Sequence, residues 1–87
     1  MEFDYPIDYA LYTSDEITII KFLDTIEECY LKGVELEEYK KVYKDFKSIV
    51  RAKSEENSLY RDFKEITGYD GYLTTKEMKN EKPKIKL

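Results

Sequence analysis

The 87-residue chain has no histidine and no tryptophan, one cysteine, two prolines and three glycines. Each shortage excludes something. Without histidine there is no imidazole to ligate zinc or to carry protons near neutral pH. Carboxylates alone hold hard cations in defined arrays, but Glu2, Asp4 and Asp8 lack EF-hand spacing and read as exposed charge. Three scattered glycines make no phosphate-cradling loop ahead of a helix. Cys29 has no partner for an internal disulfide, which points to a reducing, cytoplasmic setting. It sits among apolar neighbours without a nearby cation, so a buried, inert thiol is expected. No run approaches the ~18 apolar residues of a membrane span, and no basic-then-apolar leader opens the chain. No metal, cofactor or membrane partner is therefore expected.

What the chain has instead is tyrosine: nine of them, beside four phenylalanines, with 41% hydrophobic and 39% charged residues. Disordered segments combine high charge with few aromatics, so this mixture argues for one small folded domain. The net charge of −4 is unevenly spread. Residues 1–38 carry eleven acids against two lysines, and residues 39–87 carry thirteen bases against eight acids. Opposed halves of this kind attract each other within a molecule or between copies, although solvated helix faces account for most such patterns.

Phe3, Tyr5, Ile7 and Tyr9 alternate with polar residues and Pro6, a period of two that predicts an extended arm over 1–12. Thr13 with Glu16 forms a capping box, and Tyr12 with Ile17 a hydrophobic staple. A helix over about 14–32 follows, with Ile19, Phe22, Leu23, Ile26, Cys29 and Tyr30 on one face and Ile17, Ile20 and Leu31 on a second stripe. Gly33 stops it. A second helix, about 35–50, gathers Leu36, Tyr39, Val42, Tyr43, Phe46, Ile49 and Val50 on one arc. A third, about 54–67 with Ser54 a candidate cap, shows Leu59, Tyr60, Phe63 and Ile66, and Gly68 ends it. After the turn Tyr69-Asp-Gly-Tyr72, a short polar helix is predicted over 72–79, anchored by Leu73. Residues 80–87 read as a flexible basic tail. The expected fold is all-α: an antiparallel three-helix bundle over 1–78 with an extended N-terminal arm and a short fourth C-terminal helix.

Taken in order, these elements resemble a known family. Tyr5-Pro-Ile-Asp8, Lys32-Gly-Val34, Tyr43-Lys-Asp-Phe46-Lys-Ser-Ile49-Val50, Lys53-Ser-Glu55-Glu56 and Phe63-Lys-Glu-Ile-Thr-Gly68-Tyr69-Asp-Gly-Tyr72 together look like the YktA-like family, uncharacterised protein family 0223, of Gram-positive bacteria. The likeness covers roughly residues 2–75 and rests on the ordered set rather than on any single motif. It implies a small cytosolic all-α protein and brings no catalytic residues. The pattern calls for proline after Val50 and for aspartate capping the second helix, where this chain has Arg51 and Glu35.

For catalysis, a nucleophile or acid–base group needs an orienting partner, and carboxylates such as Glu27 and Glu28 have none in sequence. The chain is therefore expected not to be an enzyme. Tyr30, Tyr39, Tyr43 and Tyr60 sit at helical spacing and read as core. Tyr5, Tyr9, Tyr12, Tyr69 and Tyr72 fall in the arm and turns, and they are the candidate interaction surface, since tyrosine pairs an apolar face with a wet end. The expected function is a protein-interaction module with an unknown protein partner or self-association. Two alternatives stay open: a small ligand in a tyrosine-lined cleft, and weak nucleic-acid binding through Lys40, Lys41, Lys44, Lys47 and Arg51, which Asp45 interrupts and the acidic whole disfavours.

Overall fold

The computed structural model describes residues 14–87. They form α1 (Ser14–Leu31), β1 (Val34–Glu35), α2 (Leu36–Ile49), α3 (Lys53–Thr67), α4 (Gly71–Lys79) and β2 (Lys84–Ile85). The arm expected over 1–12 and the Thr13 cap lie outside these residues. The described chain is mainly helical, all-α in broad class, with one antiparallel two-stranded sheet that pairs Val34 with Ile85 and Glu35 with Lys84. None of its helices is long and apolar enough to cross a membrane.

Apolar spacing explains the core. Phe22, Leu23, Ile26 and Cys29 of α1 are fully buried, and Ile20 joins them, whereas Ile17 and Leu31 of the second stripe stay exposed. From α2 come Tyr39, Phe46 and Val50, with Leu36, Val42, Tyr43 and Ile49 partly buried against them. Phe22 is the aromatic hub. Its ring stacks on Phe46 at 4.2 Å and meets Tyr39 edge-on at 5.7 Å, with Tyr43 at 5.8 Å and Tyr60 at 6.1 Å. Edge and offset contacts at these separations suit the ring quadrupole.

α3 starts at Lys53 behind Ala52, one turn-position before the expected Ser54 cap, and no side chain caps it. Tyr60 and Phe63 are buried, and Gly68 closes the helix at φ 84°. The fourth helix is not anchored by Leu73, which is exposed. Its buried stripe is Gly71, Thr74, Thr75 and Met78. With that stripe α4 packs against α1, α2 and α3 at once. Asp70 sets its start, its Oδ1 accepting from the Tyr72 N–H at 2.9 Å.

Gly71 makes this wedge possible. A Cβ there would lie 2.6 Å from Ile26 Cδ1 and 2.6 Å from Tyr60 Cδ1. Gly71→Ala is therefore expected to push α4 off α1 and α3 and to cost about 1–3 kcal/mol, the range for overpacking a filled core. A denaturant titration checks this; an unchanged midpoint would show that the two side chains yield freely.

The C-terminal stretch departs from expectation. Residues 80–87 are not a flexible tail in the structure: Ile85 is completely buried and belongs to the same core cluster as Cys29 and Val34. The Leu87 N–H donates to Cys29 O at 3.0 Å, and the Leu36 N–H donates to Pro83 O at 3.1 Å. The second bond explains how α2 begins without a good cap. Glu35 occupies the N-cap position and makes no side-chain cap bond, so one orphan donor of the first turn is satisfied by the returning backbone. Gly33, at φ 89°, leaves room for the crossing; a Cβ there would sit 2.7 Å from Lys84 Cε and 3.2 Å from Lys86 Cβ.

Candidate functional site

Three of the buried polar residues, Glu56, Thr74 and Thr75, converge at one place, between α2, α3 and α4, while Thr25 of α1 bonds back to its own helix at Lys21 O. Glu56 lies in the first turn of α3, four residues before Tyr60 on the helix's inner face, and is 1% exposed. Its Oε1 accepts from Lys47 Nζ of α2 at 2.8 Å. Its Oε2 accepts from Tyr43 Oη at 3.1 Å and from Tyr60 Oη at 2.5 Å. Tyr60 Oη also lies 3.0 Å from Thr75 Oγ1, which lies 2.9 Å from Tyr39 Oη; Tyr39 Oη in turn lies 2.7 Å from Thr74 Oγ1.

Each hydroxyl carries one proton, and this orders the chain. Tyr60 gives its proton to Glu56, so Thr75 donates to Tyr60. Tyr39 then donates to Thr75 and accepts from Thr74, whose single proton is shared with the Gly71 carbonyl at 3.0 Å. The network is a directed relay of hydrogen bonds ending on one carboxylate.

Electrostatics follow from the geometry. Burial pushes the Glu56 carboxyl up, but the hydrogen bonds from Lys47, Tyr60 and Tyr43 and the Lys47 charge outweigh it, and the net shift is below the ordinary 4.5. Burial raises Tyr39, and burial with the bond to Glu56 raises Tyr60. Burial and the neighbouring Glu56 charge push Tyr43 up to about 12. Away from this network, burial with the charges of Glu28 and Glu38 pushes the Cys29 thiol up to about 12, which keeps it protonated at neutral pH.

Against this network, α3 and α4 leave two clefts. One, of about 250 Å³, has Glu56, Tyr60 and Thr75 at its floor and Lys53, Lys76 and Lys79 at its rim. The other, of about 380 Å³, is bordered by Asn57, Arg61, Lys64 and Asp70. Tyr60 and Tyr72 line both.

The tyrosines named from sequence divide accordingly. Tyr5, Tyr9 and Tyr12 lie outside the described residues, as do Glu2, Asp4 and Asp8. Tyr69 is half-buried, its ring 4.9 Å from that of Tyr30, and Tyr30 Oη accepts from the Asp70 N–H at 3.0 Å. Tyr72 stands on α4 with 54% of its surface exposed. Tyr39 and Tyr60 are buried, Tyr30 and Tyr43 half-buried. Sequence reasoning missed Glu56 as a buried centre. The signal was present: Glu56, Leu59, Tyr60 and Phe63 fall at i, i+3, i+4 and i+7, which puts a carboxylate on the apolar face. The basic side of α2 is also partly spent. Lys47 is bound to Glu56, Lys40 lies 3.5 Å from Glu81, and Arg51 Nε donates to Ser48 O at 3.2 Å.

Similarity to known proteins fits the ordered motifs. The profile of an uncharacterised protein family, UPF0223, matches residues 2–86. A UPF0223 protein of Bacillus cytotoxicus is 40% identical over 80 residues, covering 92% of this chain and 90% of that protein. One from Bacillus mycoides is 36% identical over the full length of both chains, and one from Listeria welshimeri is 38% identical over 92% of this chain and 89% of its own. With the profile matching nearly end to end and relatives this similar in Gram-positive bacteria, the chain belongs to the uncharacterised protein family UPF0223.

Proposed function

We propose that this is a non-enzymatic cytoplasmic interaction module that docks a protein partner on the α3–α4 face around Tyr72. The observation that carries the reading is Tyr72 itself: a large ring, 54% exposed, held on a helix between two clefts. Rigid, amphipathic and half-wet, it has the character of an interface anchor. Its hydroxyl makes no hydrogen bond among the described residues, whereas those of Tyr30, Tyr39, Tyr43 and Tyr60 are all engaged.

Two further features support it. The titratable groups around the clefts are committed to one another: Glu56 is held ionised and accepts three donors, and the tyrosines around it are held neutral. A catalytic base or nucleophile needs a free valence toward a substrate. The helices on this reading are an antiparallel scaffold that holds the face rigid. Nucleic-acid binding through α2 draws less support, since Lys40, Lys47 and Arg51 are engaged within the fold.

A photo-crosslinking side chain placed at position 72, with the same group at exposed Asp45 of α2 as control, tests the face in native cells. A discrete adduct from 72 and none from 45 is expected, and a homodimeric adduct would identify the partner as a second copy. Equal labelling from both positions, or none from 72, would refute the docking face.

A further inference from the structure

We infer, resting on that docking face, that its occupant is an extended acidic peptide segment whose carboxylates lie over Lys53, Lys76 and Lys79. The shape argues for extension. The two clefts share Tyr60 and Tyr72 in their linings, so an occupant of both passes along one trough over these rings. Along α3 its lining runs from Lys53 through Glu56, Asn57, Tyr60 and Arg61 to Lys64. Eleven helical steps cover roughly 16 Å at 1.5 Å per residue, the reach of about five residues of extended chain. A compact ligand fills one end and leaves the other to water.

Charge argues for acidity, and for a direction. Lys53, Lys76 and Lys79 are exposed and make no ion pair among the described residues. The carboxylate beneath them, Glu56, is already neutralised by Lys47. That end of the trough therefore carries three uncompensated positive charges. At the other end Lys64 lies 3.7 Å from Asp70, and Arg61 lies 3.9 Å from Asp62, so the local balance is close to even. A partner strand is thus acidic where it passes Lys53, Lys76 and Lys79 and less charged beyond Tyr72, whose ring offers an apolar contact between the two ends. Complementary potentials of this kind set register and select partners. A nucleic acid presents charge along its whole length, so it matches the lysine end of the trough and not the balanced end beyond Tyr72.

The full-length protein is titrated, by fluorescence anisotropy, into three labelled probes: a short peptide of glutamate and aspartate around one phenylalanine, the same peptide with glutamine and asparagine, and single-stranded oligothymidylate. The acidic peptide is expected to bind at least ~10-fold more tightly than its neutral counterpart, and to weaken as salt rises through the range where the Debye length falls to about 8 Å. K76E/K79E is expected to weaken it ~10-fold and R61E/K64E by less than ~3-fold; Lys76→Gln with Lys79→Gln repeats the test without introducing acids should the reversal unfold α4. Equal binding of the neutral peptide, equal loss from the two reversals, preference for the oligonucleotide, or no binding of the acidic peptide would each overturn the inference. The docking face is judged separately: a position-72 adduct with no acidic-peptide binding leaves the face standing and removes only the acidic chemistry.

Discussion

Truncation after Lys82 is expected to unfold the protein. The five residues removed include Ile85, which is fully buried, and the backbone partners of Leu36, Val34 and Cys29. Burial of one isoleucine supports about 2–5 kcal/mol by the usual cost of its replacement with alanine. Each lost backbone bond adds about 1 kcal/mol. A domain of this size holds only about 4–13 kcal/mol in total. The loss also uncaps α2, because Pro83 O accepts from the Leu36 N–H in place of a side-chain cap. The single substitution isolates the packing contribution: Ile85→Ala is expected to lower Tm by about 10–27 °C, while Lys84→Ala and Lys86→Ala, which change exposed side chains, stay within about 0.5 kcal/mol. Cys29 gives a second readout. It is buried in the same cluster, with its thiol raised to about 12, so it should resist a thiol reagent in the intact chain and react promptly once the strand is gone. A truncated chain with unchanged melting and an unreactive Cys29 would contradict the assignment of β2 to the core.

Nothing local in the sequence marks this strand. Lys82-Pro-Lys-Ile-Lys-Leu87 has one residue that ends in the core, and a two-residue strand is too short to show a period of two. Pairing is also non-local, since Val34 meets Ile85 across most of the chain, and no local pattern announces such a partner. Helices α1 and α2 were legible for the opposite reason. Their buried residues are large, mostly apolar and spaced at 3.6, and Gly33 marks the stop of α1 where the backbone turns left-handed. The inner face of α4 was illegible because it consists of Gly71, Thr74 and Thr75 beside Met78. Small and hydroxylic residues carry the same period but do not register as apolar. The single apolar candidate, Leu73, drew the anchor to the wrong side. Of the candidate surface, Tyr72 was found through its position in a turn-like motif, yet the cleft pair beneath it depends on α4 standing against α3, which only the tertiary structure supplies.

Glu56→Ala is expected to destabilise the fold by about 3 kcal/mol. The change strands Lys47 and the donor hydroxyls of Tyr43 and Tyr60, and unpaired buried donors cost about 1–3 kcal/mol each, more when charged. Lys47 is partly exposed and Tyr60 keeps Thr75, which holds the figure below the sum. Glu56→Gln keeps an acceptor for one tyrosine and should cost less. The pH dependence separates a charged centre from mere packing. In the wild-type fold the Glu56 carboxyl lies below its ordinary 4.5 because its three donors outweigh burial. A carboxyl with a lowered folded value contributes stability that is complete above the unfolded value and is lost as pH falls through the folded one. Stability should therefore decline below about pH 4.5 in the wild type, and Glu56→Gln should remove this residue's share of that decline. Lys47→Met weakens the dependence. Without the ammonium, burial acts against the ionised form with only tyrosine donors to oppose it, so the Glu56 carboxyl moves up and the variant should lose less stability than wild type on acidification. Urea titrations of the three proteins between about pH 2.5 and 7 distinguish these slopes. Parallel curves for wild type and Lys47→Met would mean that the ammonium does not hold the carboxylate, and the Lys47–Glu56 pair would then be a contact without a role in joining α2 to α3.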